Sequence, residues 1–216
     1  MTDLAAFFNA LKTEYVRYAV LRNHDGLPLD WGNDVDILVH ADELTAATRC
    51  LFRVFNLADV PYSRMRRFHF LSYRFGFGDR ELQVDFYTAI SKAWFRYADA
   101  QSVLDRACEN EAGISIPHPS DEVRLIAAKE LFSYGYLREK YHSQFRAHAI
   151  GESAPNDALF SGRLTPSSIA LIDRCVVAPS TRGRLRPTMR NLVTPADILQ
   201  WMRLRNGRFQ KNDGNV

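Results

Sequence analysis

The stretch Gly32-Asn33-Asp34-Val35-Asp36-Ile37-Leu38-Val39 decides how the rest of the chain is read. Gly32 and Asn33 tolerate the backbone angles of a tight turn. Val35, Ile37, Leu38 and Val39 favour a buried strand directly after it. Side chains alternate along a strand, so Asp34 and Asp36 point to the same side. Two carboxylates about 7 Å apart repel one another, and more strongly as the surroundings become drier. A divalent cation removes that conflict, and carboxylate oxygens suit Mg²⁺. The plain alternative is a surface turn with two hydrated aspartates. The apolar run that follows favours the metal, because charge beside a buried strand is costly unless it is used.

A second extended segment fits the first. In Glu81-Leu82-Gln83-Val84-Asp85-Phe86-Tyr87, Leu82, Val84 and Phe86 share one face. Asp85 lies on the other face, between Gln83 and Tyr87. If the two strands are neighbours, Asp85 joins Asp34 and Asp36. Three carboxylates can hold two cations about 3.5–4 Å apart, the arrangement used for phosphoryl transfer.

The order of these elements is a strand over Tyr18-Ala19-Val20-Leu21, then Arg22-Asn23, Gly26 and Asp34-x-Asp36, with a third Asp on a later strand. It resembles the nucleotidyltransferase fold of the DNA polymerase beta superfamily, most closely over residues 15–90. That family usually carries a Gly-Ser pair after the first strand, where this chain has Arg22-Asn23. The Leu-Arg-Asn…Leu-Pro…Asp-x-Asp variant is similar to an uncharacterised bacterial branch that accompanies surface-polysaccharide genes, some of whose members are fused to a kinase-like P-loop domain.

The resemblance implies an α+β fold. A nucleotidyltransferase core with a small mixed sheet and packed helices would span residues 1–115. A helical domain with a polar C-terminal tail would span 116–216. It further implies transfer of a nucleoside monophosphate from a nucleoside triphosphate such as ATP to an acceptor hydroxyl, with release of pyrophosphate. Asp34, Asp36 and Asp85 would be both the catalytic residues and the ligands of two Mg²⁺ ions, with Mn²⁺ as the alternative. Arg22 would neutralise phosphate charge, and Asn23 would donate hydrogen bonds in place of the family's Ser. Gly32 and Asn33 would let the backbone approach the phosphates. By analogy with relatives whose helical domain closes over the nucleotide, Lys129 would reach the triphosphate. The alternative for Lys129 is a stem lying on apolar surface with its charge in water. The acceptor, a sugar or another small hydroxyl compound, is not named by the sequence, and nucleic acid stays open.

Bulk properties agree with a globular chain. The 216 residues suffice for one large domain or two small ones. A hydrophobic fraction of 46% with 25% charged residues is ordinary for globular domains. The net charge of +3 permits an anionic substrate without demanding nucleic acid. Cys50, Cys108 and Cys175 have neither metal spacing nor a disulfide framework, which fits a reducing cytoplasm. Met1-Thr2-Asp3-Leu4 lacks the pattern of a signal peptide. No run approaches the ~20 apolar residues of a membrane span.

Along the chain, Leu4, Phe7, Phe8, Leu11 and Tyr15 repeat at helical spacing after a cap at Thr2 or Asp3. Asp42 is expected to cap a helix over 43–57. Residues 62–75 alternate Arg with aromatic residues. They read as a strand with Arg outward, ahead of stacking against nucleic acid or of Arg66 or Arg67 facing a nucleotide. A turn at Gly76-Phe77-Gly78-Asp79 leads into the Asp85 strand. Residues 88–112 read as helical, and Ile114-Ser115-Ile116 as a short strand. Ser120 is expected to cap a long helix over 121–141. A loop is expected over 151–164. Thr165-Pro166 and Thr194-Pro195 each read as a cap followed by Pro at the first helical position. The clusters Arg182, Arg184, Arg186, Arg190 and Arg203, Arg205, Arg208 read as solvated faces.

Several chemistries lack their motifs. The chain has no Gly-x-x-x-x-Gly-Lys-Ser/Thr loop, no Gly-x-Gly-x-x-Gly opening a helix and no nucleophile elbow. Its six histidines show no zinc spacing, and His24 reads as a surface residue. A non-catalytic nucleotide-binding or toxin–antitoxin module on the same scaffold is the main rival function. A glycosyltransferase with Asp-x-Asp is weaker, since such enzymes place a nucleotide-binding α/β unit before the motif and only 33 residues precede it here.

Overall fold

The computed structural model describes residues 3–32, 34–67, 69–92, 95–148, 158–185 and 210–212. They fall into two compact units. The first holds the described residues up to Ala89, then Leu104–Ile116 and 210–212. The second holds Ile90–Val103 and the described residues from Pro117 to 185.

The first unit begins with α1, Asp3–Thr13, whose Leu4, Phe7, Phe8 and Leu11 are buried. Tyr15 does not continue that face. The helix ends there, with Tyr15 at φ 55° and 90% exposed, while the Val16 N–H bonds to the Leu11 carbonyl. The left-handed turn carries Val16 into the core in place of Tyr15. Strand β1, Tyr18–Val20, then pairs antiparallel with β2, Val35–Val39. His40 and the 3-10 turn Ala41–Glu43 precede α2, Leu44–Phe55. The expected cap at Asp42 is therefore displaced. His40 Nδ1 accepts from the Asp42 N–H, so Asp42 already lies inside the turn.

Residues 62–75 form two strands rather than one: β3, Tyr62–Arg67, and β4, Phe70–Phe77, paired antiparallel from Arg67↔Phe70 outward. The next turn is correspondingly tighter than expected, with Gly78 at φ 65° and Phe77 already paired to Arg80 at the start of β5, Arg80–Tyr87. Strand β2 lies parallel to β5, and the sheet runs β1-β2-β5-β4-β3.

Alternation within these strands sorts the two faces. Val35, Ile37 and Val39 of β2, Leu82, Val84 and Phe86 of β5, and Leu71, Tyr73 and Phe75 of β4 share one core with α1 and with Ala47, Cys50, Leu51 and Phe55 of α2. Phe7 meets Phe86 edge-on at 6.4 Å between ring centroids, and Phe55 lies 5.0 Å from Phe75. Full burial of each such side chain stabilises the fold by roughly 1.5–3 kcal/mol. Every carboxylate on β2 and β5 consequently points to the face away from these helices.

Residues 88–112 are not a helix. They form β6, Ile90–Lys92, paired with β7, Phe95–Ala98, then the short α3, Ala100–Asp105, and β8, Cys108–Glu109. Ile90 and Tyr97 are buried, and Tyr97 packs against Phe132 at 5.3 Å. Hairpin pairing of these β-branched and aromatic residues outweighs their weak helical spacing. Ile114-Ser115-Ile116 does supply a strand, β9, Ser115–Ile116, against β8. A three-residue strand β10, Gln210–Asn212, pairs on the outer edge of β3.

In the second unit α4, Pro119–Ser133, is shorter than the expected 121–141. His118 rather than Ser120 is its cap, accepting from the Ser120 N–H, with Pro119 at the first helical position. Gly135 at φ 77° ends it. The 3-10 turn Glu139–Tyr141 and α5, His142–His148, follow. The Thr165-Pro166 start is present as read: the Thr165 hydroxyl accepts from the Ser168 N–H at 3.3 Å and caps α6, Pro166–Val177. Thr194-Pro195, Arg186, Arg190, Arg203, Arg205, Arg208 and much of the expected loop lie outside the described residues. No disulfide joins the three cysteines. No helix of the described residues is long and apolar enough to cross a membrane.

Candidate metal centre

The site is assembled from the segment after β1 and from one face of β2, β5 and β4. The Leu21 N–H bonds to the Asp36 carbonyl at 2.9 Å, which sets Arg22 beside the start of β2. Asn23 follows at φ 55°, a left-handed conformation that asparagine tolerates, and is exposed. His24 is buried, not a surface residue. The loop then closes tightly: the Asp30 N–H bonds to the Gly26 carbonyl at 2.8 Å, and a Cβ on Gly26 would lie 2.8 Å from the Asp30 carbonyl oxygen. Gly32 has φ 61°, and its carbonyl accepts from Arg80 at 2.8 Å. Asn33 lies outside the described residues.

The parallel register sets Asp36 directly opposite Asp85, with Asp34 two residues before Asp36. One oxygen from each of Asp34, Asp36 and Asp85 lies within 4.8 Å of the other two. Asp36 and Asp85 are almost wholly buried, at 2% and 3% exposure, and Asp34 is half-buried. The Arg22 guanidinium donates from Nε to Asp36 Oδ2 and reaches Asp34 Oδ2 at 3.8 Å. The other Asp36 oxygen, Oδ1, is buried without a hydrogen-bond partner. A buried, unpaired carboxylate oxygen is costly.

The electrostatics follow from this crowding. Burial pushes the Asp85 carboxyl up to about 6; hydrogen bonds from Ser72 and Gln83 pull against that, and repulsion from Asp36 and Asp34 adds to it. Burial also raises the Tyr87 hydroxyl, reinforced by the negative charge of Asp36 and Asp85 and by a side-chain interaction with Asp36. For Arg22 burial alone would lower the pKa, but the hydrogen bond and attraction to Asp36, with Asp34 behind it, outweigh that and raise it. The donor set fits a hard divalent cation: three carboxylates, one offering a buried oxygen that makes no hydrogen bond.

Three neighbours of Asp85 complete the site. Gln83 Nε2 donates to both Asp85 oxygens at 3.1 Å. Arg74 donates to Gln83 Oε1 from Nε at 3.1 Å and from Nη2 at 2.5 Å. Ser72 sits across from Asp85 in the β4–β5 register and is buried. Sequence reasoning left all three without a role. Gln83 had a signal, sharing the Asp85 face two residues away, whereas Ser72 and Arg74 come into place only through the hairpin pairing. Arg66 pairs with the core residue Leu71, so it projects to the face away from the carboxylates. Lys129 lies on α4 in the second unit and is not among the residues that form the trio.

No family model, curated protein or solved structure matches this chain.

Proposed function

We propose that the protein is a metal-dependent nucleotidyltransferase whose chemistry is carried by the unit that holds Asp34, Asp36 and Asp85. The observation that carries the reading is the meeting of Asp34, Asp36 and Asp85 within 4.8 Å, with Asp36 Oδ1 buried and unpartnered. An acidic trio on rigid adjacent strands, built around an unsatisfied oxygen, suits cation-assisted phosphoryl transfer.

Asp34, Asp36 and Asp85 would hold Mg²⁺, which when bound offsets charge on the phosphates and lowers the pKa of an acceptor hydroxyl. The protein's own groups do the rest. Arg22, already poised over Asp34 and Asp36, neutralises phosphate charge on its side of the trio. Asn23, exposed beside it, donates to the phosphates, and the Gly32 turn allows close backbone approach. The acceptor oxygen forms a bond to the α-phosphorus. The bond from that phosphorus to the bridging oxygen breaks, and its electron pair leaves on pyrophosphate. Asp85 also accepts the acceptor's proton. Gln83, bonded to both Asp85 oxygens, fixes the orientation of that base.

One observation favours a second reading. Arg22 already neutralises Asp36, as it would in a non-catalytic nucleotide-binding module that has replaced its metal by a guanidinium. Pyrophosphate release with Mg²⁺ and each nucleoside triphosphate separates the two. In the transferase, Asp34→Asn abolishes release while its circular dichroism and melting curve stay near wild type. Full activity in Asp34→Asn would end the metal assignment. Tight triphosphate binding without release across a broad acceptor panel would favour the module.

A further inference from the structure

A pocket of about 420 Å³ adjoins the trio, lined by Gly32, Arg74, Arg80, Glu81 and Gln83. Gln83 belongs to both places: its side chain lines the pocket and bonds to Asp85. The lining carries two guanidinium groups and one carboxylate, a net positive wall. Both arginines are held in place. Arg74 is fastened to Gln83, and Arg80 is bonded to the Gly32 carbonyl with its guanidinium 4.8 Å from the Trp31 ring centroid. A guanidinium has five N–H donors, and these contacts use two on Arg74 and one on Arg80.

The sheet order separates this pocket from Arg22. Arg22 follows β1, the acidic trio sits on β2 and β5, and Arg74 stands on β4. With strands about 4.8 Å apart, β1 and β4 lie three strand spacings from each other. One flank of the trio thus carries Arg22 beside Asp34 and Asp36. The opposite flank carries Arg74, paired with Gln83 two residues before Asp85, the carboxylate assigned to the acceptor hydroxyl, while Arg80 stands farther along β5 at the Gly32 end of the pocket.

Resting on the nucleotidyl-transfer reading, we infer that this pocket is the acceptor subsite and that the acceptor bears an oxyanion, phosphate or carboxylate, besides the hydroxyl it offers. Arg74 and Arg80 hold the oxyanion by forked hydrogen bonds. The hydroxyl projects toward Asp85, which takes its proton as the acceptor oxygen bonds to the α-phosphorus of a nucleoside triphosphate and pyrophosphate departs with the electron pair of the broken bond. Glu81 on the same wall repels acceptors whose charge is not met by both arginines.

The test is calorimetric and uses the full chain. Inorganic phosphate, glycerol 3-phosphate, glycerate and glycerol are titrated into wild type, Arg74→Gln, Arg80→Gln and Arg74→Lys. A nucleoside triphosphate with Mg²⁺ is titrated separately, and melting curves confirm folding. The expected result is binding of phosphate and of the phosphate- or carboxylate-bearing glycerol derivative, at least tenfold over glycerol. That preference falls about tenfold in each Gln variant and less in Arg74→Lys, while triphosphate affinity is unchanged in Arg74→Gln. The stronger of glycerol 3-phosphate and glycerate identifies the oxyanion. Equal binding of glycerol and the charged ligands, or no binding of any anion, overturns the pocket assignment alone. An equal fall in triphosphate affinity in Arg74→Gln overturns it by giving the pocket to the donor. Anion binding intact without any triphosphate binding by wild type ends the nucleotidyl-transfer reading, and the acceptor assignment with it.

Discussion

Asp85→Asn should stabilise the metal-free protein at neutral pH, the opposite of what removing a buried hydrogen-bonded residue usually does. Asp85 is 3% exposed and its carboxyl is pushed from 3.8 up to about 6, first by burial. The folded state therefore binds this proton more tightly than the unfolded chain does. The stability it lends is fully present below pH 3.8 and is lost as pH rises through about 6. At 1.36 kcal/mol per pKa unit, the ionised carboxylate costs about 3 kcal/mol at pH 7.5 and about 1 kcal/mol at pH 4.5. Asparagine removes that cost but turns an NH₂ toward one of the two Gln83 bonds, a loss of about 1 kcal/mol. The net expectation is a gain of about 2 kcal/mol at pH 7.5 and roughly none at pH 4.5. Urea unfolding with EDTA at both pH values measures it. Mg²⁺ should then stabilise wild type at pH 7.5 and leave Asp85→Asn nearly unmoved. Equal destabilisation of the variant at both pH values would refute the argument that Asp85 is held against its charge.

Two further substitutions separate the site from the scaffold. Arg22→Met leaves Asp34 and Asp36 without their guanidinium and should destabilise the metal-free protein by about 2–4 kcal/mol at pH 7.5, toward the lower end of the range for a broken buried pair because Arg22 is partly exposed. The Mg²⁺-induced rise in its melting temperature should exceed that of wild type, and an identical rise in both would count against Arg22 as the resident counter-charge. Arg138→Met strands Glu130, which is fully buried and receives hydrogen bonds at 2.5 and 2.8 Å from that arginine. It should cost about 3 kcal/mol in urea unfolding, with much of the loss recovered in Arg138→Met/Glu130→Gln. No recovery in the double variant would refute the stranded charge as the cause.

Local rules carried far in some places and failed in others. The Thr165-Pro166 helix start and the apolar face of α1 needed only cap chemistry and helical spacing. The region 88–112 failed because short strands gain their stability from a partner elsewhere in the chain, here β7 against β6 and β9 against β8. The cap positions at His40 and His118 failed for a smaller reason. An imidazole nitrogen accepts a backbone N–H as a carboxylate or hydroxyl does, so the helix begins one or two residues from where Asp or Ser suggests.

The sequence by itself determined that Asp34 and Asp36 share a side and that Asp85 lies opposite Leu82, Val84 and Phe86, because alternation along an extended chain is a property of the backbone. Only the tertiary structure decided that β2 lies parallel to β5 with Asp36 facing Asp85. It also decided that Arg22 lies across the first pair and that Ser72, Arg74 and Gln83 gather round the third carboxylate. Strand register and neighbour choice are set by how the whole core packs, and no spacing within one segment encodes them.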